Sequence, residues 1–277
     1  MRVLFLGNSF TNRNQMPEIL KCFFERKTGD TLDYTAFTSA ACTLEKHEKS
    51  ADVRAALRSG GFDAVVLQEQ SQLPVSSPFA MFDAAVSLSQ MARSGSPDCR
   101  IVLFQTWARK DADHGDQAAI NEAYAGLAEE ISGSVVSPAG IAFAEARSKD
   151  PKLKLHDKDK SHPSKQGSYL AAACLFATIS GDSPAGLPLS VKDPNSATEP
   201  LMQMDDKTGA LLLAACASAL RGGSGGEGGG GGGGGSSMMG GGGSLNAKGM
   251  KLSKASGARQ GGKGRGGSGG QDLESLA

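Results

Sequence analysis

The sequence has no long hydrophobic run and few aromatic residues. Aromatic side chains make up 5% of its 277 residues, and there is one tryptophan. The apolar run after Arg2 is too short for the hydrophobic region of a secretory signal, and no stretch is long enough to cross a bilayer. We therefore expect no membrane span and a cytoplasmic location, unless an upstream start codon supplies a signal.

Cysteine is too sparse for a disulfide framework. The five cysteines are odd in number, and none lies in a Cys-x-x-Cys motif. This pattern favours a reducing compartment. We expect five free thiols without a catalytic role, and we expect Cys22, Cys99 and Cys174 to be small core residues.

The last part of the chain differs in composition from the rest. From Gly222 to the end, 25 of 56 residues are glycine, so this segment cannot bury enough apolar surface to offset the entropy of ordering it. Its basic residues outnumber its acidic ones by three, while the preceding part is net negative by three. We predict a folded domain at 1–221 and a disordered tail at 222–277 that folding does not require.

Short apolar runs alternate five times with helical patterns, which predicts a doubly wound parallel sheet with helices on its faces. The segment 182–204 reads as irregular. The predicted strands cover 3–6, 32–37, 63–68, 99–106 and 134–137, and the predicted helices cover 16–28, 52–58, 79–93, 117–131, 139–147, 166–179 and 208–220.

Ser9 lies where the first predicted strand gives way to a helix. The carboxyl end of a strand in an open parallel sheet is where ligands bind. A serine there exposes its hydroxyl close to backbone N–H groups that can steady an anion. The ordinary alternative is that Ser9 only caps the helix.

A second concentration of polar residues precedes the predicted helix at 166–179. Asp159 and His162 are three residues apart in this loop. At that spacing a carboxylate can fix the imidazole tautomer, and the imidazole can then take a proton from a serine. Ser9, His162 and Asp159 are thus candidates for nucleophile, base and orienting group.

Two sequence blocks resemble the SGNH/GDSL hydrolases: Gly-Asn-Ser-Phe-Thr at 7–11 and Asp-x-x-His-Pro at 159–163. The chain also resembles a less-studied subgroup of that family. The blocks that carry this resemblance are Thr-Leu-Glu-x-His at 43–47, Leu-Gln-Glu-Gln-Ser at 67–71, Gln-Thr-Trp at 105–107 and His-Pro-Ser-x-x-Gly-Ser-Tyr at 162–169. The resemblance covers about residues 1–185. It implies a three-layer, flavodoxin-like α/β/α sandwich with a five-stranded parallel sheet. It further implies a cofactor-free serine esterase with a Ser9–His162–Asp159 triad, acting on O-acyl esters such as acetyl groups on a carbohydrate.

The residues for an oxyanion hole depart from that family. Its second block has a glycine where this chain has Ala40 or Ala41, and an alanine N–H can serve if its φ need not be positive. Its third block has an asparagine amide, for which this chain offers Gln68, Gln70 and Gln72. A glutamine amide presents the same donor on a longer stem. Ungapped counting from Asp63 points to Gln72 and the motif of the subgroup to Gln70 or Gln68, and we prefer Gln70. The expected hole consists of Ser9, Ala41 and Gln70.

Several other residues have two interpretations. Trp107 could wall the acyl or sugar pocket or pack at the sheet edge, and Gln68 is kept as a substrate-binding candidate. Glu45 could be a helix-start carboxylate or line the site. His47 and His114 read as ordinary surface residues.

Two other classes of function stay open. His156, Asp157, Asp159 and His162 could bind a metal, but all four lie on one short loop and no second ligand cluster is visible. The chain could also be a binding protein with a weak site. The thinly spread charges of the tail predict at most weak, unspecific contact with nucleic acid.

Overall fold

The computed structural model describes residues 1–110 and 115–223. Its central sheet is parallel throughout and has the strand order β2-β1-β3-β4-β5. The order reverses at β1, which makes the carboxyl ends of β1 and β3 the switch point where doubly wound sheets bind ligands. The strands are β1 (Arg2–Leu6), β2 (Asp33–Phe37), β3 (Ala64–Leu67), β4 (Arg100–Phe104) and β5 (Val135–Ser137).

The three strands around the switch point end at the same level. Leu6 pairs with Phe37 on one side and with Leu67 on the other, so the loops after β1, β2 and β3 leave the sheet side by side. Every residue of β3 is buried, as expected for a strand covered on both faces. The predicted fold, a five-stranded parallel sheet in an α/β/α sandwich, is confirmed.

Helices cover both faces of the sheet. One core lies between the sheet and α2, α8, α9 and α10, and the other lies under α4, α6 and α7. No helix in the described ranges is long and apolar enough to cross a membrane. The helices are α1 (Ser9–Asn12), α2 (Met16–Lys27), α3 (Leu44–Lys49), α4 (Ala51–Ser59), α5 (Leu73–Ser76), α6 (Pro78–Gly95), α7 (Gly115–Glu130), α8 (Ala139–Lys149), α9 (Lys165–Ser180) and α10 (Asp206–Gly223), with a 3₁₀ turn at Arg13–Gln15.

The sequence prediction missed a few short elements. The segment 182–204, predicted to be irregular, contains the antiparallel strands β6 (Ser190–Lys192) and β7 (Pro200–Gln203). These strands are too short to show a period of two, but Val191, Leu201 and Met202 are buried. Helices α3 and α5 formed part of predicted loops. Apart from residues 222 and 223 at the end of α10, the predicted tail lies outside the described residues.

Close packing at the start of α9 requires glycine. A Cβ on Gly167 would lie 2.2 Å from the backbone oxygen of Leu155 and 3.1 Å from the Pro163 side chain. Ser164 caps the helix by accepting from the Gly167 N–H at 3.2 Å. The glycine of the Gly-Ser-Tyr sequence therefore lets α9 begin directly against the loop that carries His162.

We predict that Gly167→Ala destabilises the protein by about 2 kcal/mol, because the obstructing atom is backbone and cannot rotate away. Thermal unfolding followed by circular dichroism measures this. Gly222→Ala is the matched control, since a Cβ there meets nothing within 4 Å. Equal melting temperatures for the two variants would contradict the packing argument.

Candidate active site

Ser9 begins α1 immediately after the turn that leaves β1. The cap of this helix is Asn8, whose Oδ1 accepts from the Phe10 N–H at 3.0 Å, so the capping role considered for Ser9 is wrong. The turn is tight, because a Cβ on Gly7 would lie 2.5 Å from Thr11 Oγ1. Ser9 Oγ is instead 2.7 Å from Nε2 of His162.

His162 is held on its other side by Asp159. Asp159 Oδ2 is 2.5 Å from His162 Nδ1, and its Oδ1 accepts from the N–H groups of Ser161 at 3.0 Å and His162 at 2.9 Å. Burial acts to raise the pKa of Asp159, but these hydrogen bonds outweigh it and lower the pKa to about 2. An ionised Asp159 makes Nδ1 the protonated nitrogen and leaves the Nε2 lone pair facing Ser9.

The loop that carries this pair is attached to the body of the protein. Asp157 is 2.5 Å from the guanidinium of Arg13, and the Asn14 side chain donates to the Pro163 carbonyl at 3.0 Å. Trp107 Nε1 donates to the Ser161 carbonyl at 3.0 Å. One ion pair and two hydrogen bonds therefore fix the loop beside α1.

A cavity of about 440 Å³ opens over the Ser9 hydroxyl. Its walls bring together Ser9, His162 and candidates for the oxyanion hole from the loops after β2 and β3. It is lined by Asn8, Ser9, Phe10, Arg13, Ala40, Ala41, Gln70, Ser71, Gln72, Arg109, Ser161 and His162.

The two oxyanion candidates other than Ser9 both have restrained geometry. Ala41 has a φ of 51°, so this position does need the left-handed conformation that favours glycine. The alanine adopts that conformation at an energetic cost and keeps its backbone N–H. Gln70 Oε1 accepts from the N–H groups of Gln72 at 2.8 Å and Leu73 at 3.3 Å. Its amino group is therefore the donating end left for the cavity.

The prediction of Gln68 as a substrate-binding residue needs correction. Its side chain is 0% exposed, and its Oε1 accepts from Asn8 N–H and Thr11 Oγ1, each at 2.9 Å. Its Nε2 donates to the Glu69 carbonyl at 2.5 Å. Gln68 thus serves the turn before Ser9 and has no surface that a substrate can reach.

Trp107 packs in the core, as in the second of its two interpretations. It is 1% exposed and stacks between Phe10 and Phe143, with ring centroids 5.0 and 4.1 Å away. It does not line the cavity over Ser9, so its role as a wall of that pocket is corrected. It contacts the site from behind, through its stack on Phe10 and its hydrogen bond to the Ser161 carbonyl.

The prediction for His47 was also wrong. His47 is 4% exposed, and its Nε2 lies 2.7 Å from the carbonyl oxygen of Gly7. Burial lowers its pKa, so the neutral ring donates to that oxygen. Glu45 is an exposed carboxylate in the first turn of α3 and pairs with Lys49, away from the cavity. His114 lies outside the described residues.

The alternative metal site lacks a ligand set in residues 1–110 and 115–223, where no group of three or more potential ligands converges. His156 lies 3.0 Å from the Ala108 carbonyl through Nε2, and Asp157 pairs with Arg13. These two side chains therefore have partners other than Asp159 and His162.

Glu69 was not considered from the sequence. It is 1% exposed, adjacent to Gln70, and its carboxylate accepts backbone N–H groups from two loops of the site. The Leu-Gln-Glu-Gln-Ser block contained it, but a glutamate in a polar loop gives no sign in the sequence that it is buried.

The fold is that of the SGNH hydrolases. A protein from Slackia heliotrinireducens named as a candidate SGNH hydrolase has a TM-score of 0.55 and 29% identity, covering 65% of this chain and 98% of that one. A DUF4886 family protein from Bacteroides uniformis has a TM-score of 0.62 and 18% identity, covering 80% and 95%. A carbohydrate esterase of family 3 from Talaromyces cellulolyticus has a TM-score of 0.52 and 12% identity, covering 66% and 100%. No family model and no curated protein matches the sequence.

The left-handed conformation of Ala41 generates a prediction. Ala41→Gly should raise the free energy of unfolding by about 1 kcal/mol, because glycine adopts this φ without the clash of a Cβ. Chemical denaturation measures the change. Ala40→Gly is the control: Ala40 is the adjacent exposed residue and is not among the positive-φ residues, so its loss of Cβ should not stabilise. A gain of the same size at Ala40 would refute the strain at Ala41.

Proposed function

We propose that the protein is a serine esterase that hydrolyses a small O-acyl ester through a covalent acyl-enzyme on Ser9. The observation that carries the proposal is the unbroken chain from Ser9 Oγ to His162 Nε2 and from His162 Nδ1 to Asp159, with distances of 2.7 and 2.5 Å. The fold shared with hydrolases and esterases supports it.

In the acylation step, Ser9 Oγ attacks the ester carbonyl while its proton moves to His162 Nε2. Ser9 is a weak nucleophile unless a base removes that proton. Asp159 keeps the imidazole in the reactive tautomer and stabilises the imidazolium that forms. His162 then returns the proton to the departing alkoxide, which leaves as the alcohol.

In deacylation, water takes the place of the alcohol. His162 removes a proton from the water as its oxygen bonds to the acyl carbon. The bond to Ser9 Oγ then breaks to release the acid, and the imidazolium of His162 returns the proton to Ser9 Oγ. Both tetrahedral intermediates carry an oxyanion, for which we assign the N–H groups of Ser9 and Ala41 and the amide of Gln70 as donors. Donors already in place for such charge contribute strongly to the rate.

A small acyl group agrees with the size of the cavity, which is about 440 Å³ and lies at the low end of ligand sites. The structural relatives include a carbohydrate esterase and an acetyl esterase. We therefore propose an acetyl-sized acyl group, with a carbohydrate as the alcohol part.

The triad is tested by Ser9→Ala and His162→Ala. Each should remove nearly all hydrolysis of p-nitrophenyl acetate. The double variant should lose little further activity, because the residues act as a unit. Asp159→Asn should lose less activity than either single variant. A fluorophosphonate probe with peptide mapping should label Ser9, and the label should disappear in His162→Ala. Turnover without a labelled serine that stops with chelator would favour a metal mechanism.

Gln70→Ala should lower kcat by about a hundredfold and leave KM nearly unchanged, because its amide meets charge that exists only in the transition state. Steady-state kinetics with p-nitrophenyl acetate separates the two constants. Gln72→Ala is the matched control, since Gln72 lines the same cavity but is not assigned as a donor. A change confined to KM in Gln70→Ala would assign Gln70 to substrate binding instead.

A further inference from the structure

Glu69 is a buried carboxylate that the proposed reaction does not use. It follows β3, is 1% exposed, and does not line the cavity over Ser9. Its Oε1 accepts from the N–H of Gln70 at 2.6 Å and from the N–H of Leu44 at 3.2 Å. We call this arrangement, the Glu69 carboxylate with the N–H groups of Leu44 and Gln70, the Glu69 junction.

The Glu69 junction connects the loop after β3 to the start of α3, and α3 in turn contacts the turn after β1. Gln70 belongs to the loop after β3, and Leu44 begins α3, which follows the loop carrying Ala41. From the same helix, His47 contacts the carbonyl of Gly7 at 2.7 Å, two residues before Ser9. A shift of α3 away from Glu69 would therefore move the surroundings of both Ser9 and Ala41.

A further contact joins the first two loops. Asn8 Nδ2 donates to the carbonyl of Cys42 at 3.0 Å, so the turn before Ser9 and the loop of Ala41 are held to each other. The Glu69 junction adds the third loop. The Glu69 carboxylate therefore connects the backbone N–H of Gln70, and with it the residue that carries the side-chain amide, to α3.

The contacts of Glu69 suit a charged carboxylate. Both partners are N–H donors, and a carboxylate is a pure acceptor, whereas a protonated acid also has a hydroxyl to satisfy. Hydrogen bonds to an ionised group are shorter and stronger than those to a neutral one. Protonation should therefore weaken the junction.

We propose that Glu69, as an ionised carboxylate, is a positioning residue that holds the Gln70 amide and the Ala41 loop where they can stabilise the oxyanion. This inference rests on the proposed esterase function. Glu69 touches neither the substrate nor Ser9 and acts through Gln70 and α3.

The surroundings of Glu69 raise its pKa, so that its charge changes with pH near neutrality. Burial raises its pKa to about 7 against the lowering effect of the hydrogen bonds from Gln70 and Leu44, and the nearby charge of Glu45 adds to the increase. The other titratable groups facing it are Cys42, before α3, and Tyr124 of α7, and the pKa of each is raised by burial and by the charge of Glu69. These three groups are acids, and Lys46 of α3 adds a positive charge that lowers the pKa of Cys42.

The sign of the effect on stability follows from this pKa. The carboxyl holds its proton to higher pH in the folded state than in the unfolded state, where its pKa is the ordinary 4.5. Stability is then lost as pH rises from about 4.5 to about 7. Activity should change in the opposite direction, because the junction forms fully when Glu69 is ionised.

The test compares wild type, Glu69→Gln and the control Glu45→Gln, which removes a neighbouring exposed carboxylate. The measurements are p-nitrophenyl acetate kinetics and melting temperature between pH 5 and 9. Glu69→Gln should lower kcat about tenfold at pH 8 and little at pH 5, because the amide mimics the protonated acid that wild type carries at low pH. Wild-type kcat should therefore rise about tenfold more than that of Glu69→Gln between pH 5 and 8. Glu45→Gln should keep kcat and its rise with pH near wild type.

The melting temperatures separate positioning from a merely structural role. Relative to wild type, Glu69→Gln should become more stable as pH rises from 5 to 8, while its kcat stays low. An active wild type would overturn the role of Glu69 alone if kcat were unchanged in Glu69→Gln, or if kcat rose equally with pH in the two proteins. A wild type without turnover and without labelling of Ser9 would instead overturn the proposed function, and the positioning role with it.

Discussion

The site depends on the register of three parallel strands. Because Leu6 is paired with both Phe37 and Leu67, the chain leaves β1, β2 and β3 at one level. That alignment brings together a turn with a serine, a loop with an N–H donor and a loop with an amide, although each lies far from the others in sequence. The fourth component, the loop of His162, comes from beyond β5 and is fixed by side-chain contacts with Arg13, Asn14 and Trp107.

Around the nucleophile, the structure holds conformations that are costly to fold. Ala41 occupies the left-handed region, and Glu69 is a carboxylate buried near Gln70. Strain and buried charge of this kind persist where the surrounding contacts hold them, and they concentrate at functional sites. Both residues lie within the loops assigned to the oxyanion hole, and neither contributes to the two hydrophobic cores. Some of the free energy given up on folding is therefore spent in the loops that the proposed reaction would use.

Much of the fold and part of the site could be predicted from the sequence, for physical reasons that particular residues illustrate. The residues from Val3 to Leu6 predict a buried strand because every one of them is apolar. Asp159 and His162 predict a hydrogen-bonded pair because they are only three residues apart. His47, Gln68 and Glu69 gave no comparable signal, because whether a polar side chain is buried depends on contacts between elements distant in sequence. The conformation of Ala41 was equally hidden, since φ is set by how the loop must reach α3. The hairpin of β6 and β7 was missed because three or four residues cannot display a period.

In the proposed mechanism, Gln70 in the loop after β3 would serve where the SGNH family has a shorter asparagine. A free glutamine has one more rotatable bond than asparagine and would lose more entropy on being held in one conformation. Here Oε1 of Gln70 accepts hydrogen bonds from the N–H groups of Gln72 and Leu73, so the side-chain amide is oriented by its own loop before any substrate binds. The backbone N–H of Gln70 donates in turn to the Glu69 carboxylate. The same residue is thus fixed at both ends, and in the proposed mechanism the amide at its tip would meet the developing charge already oriented.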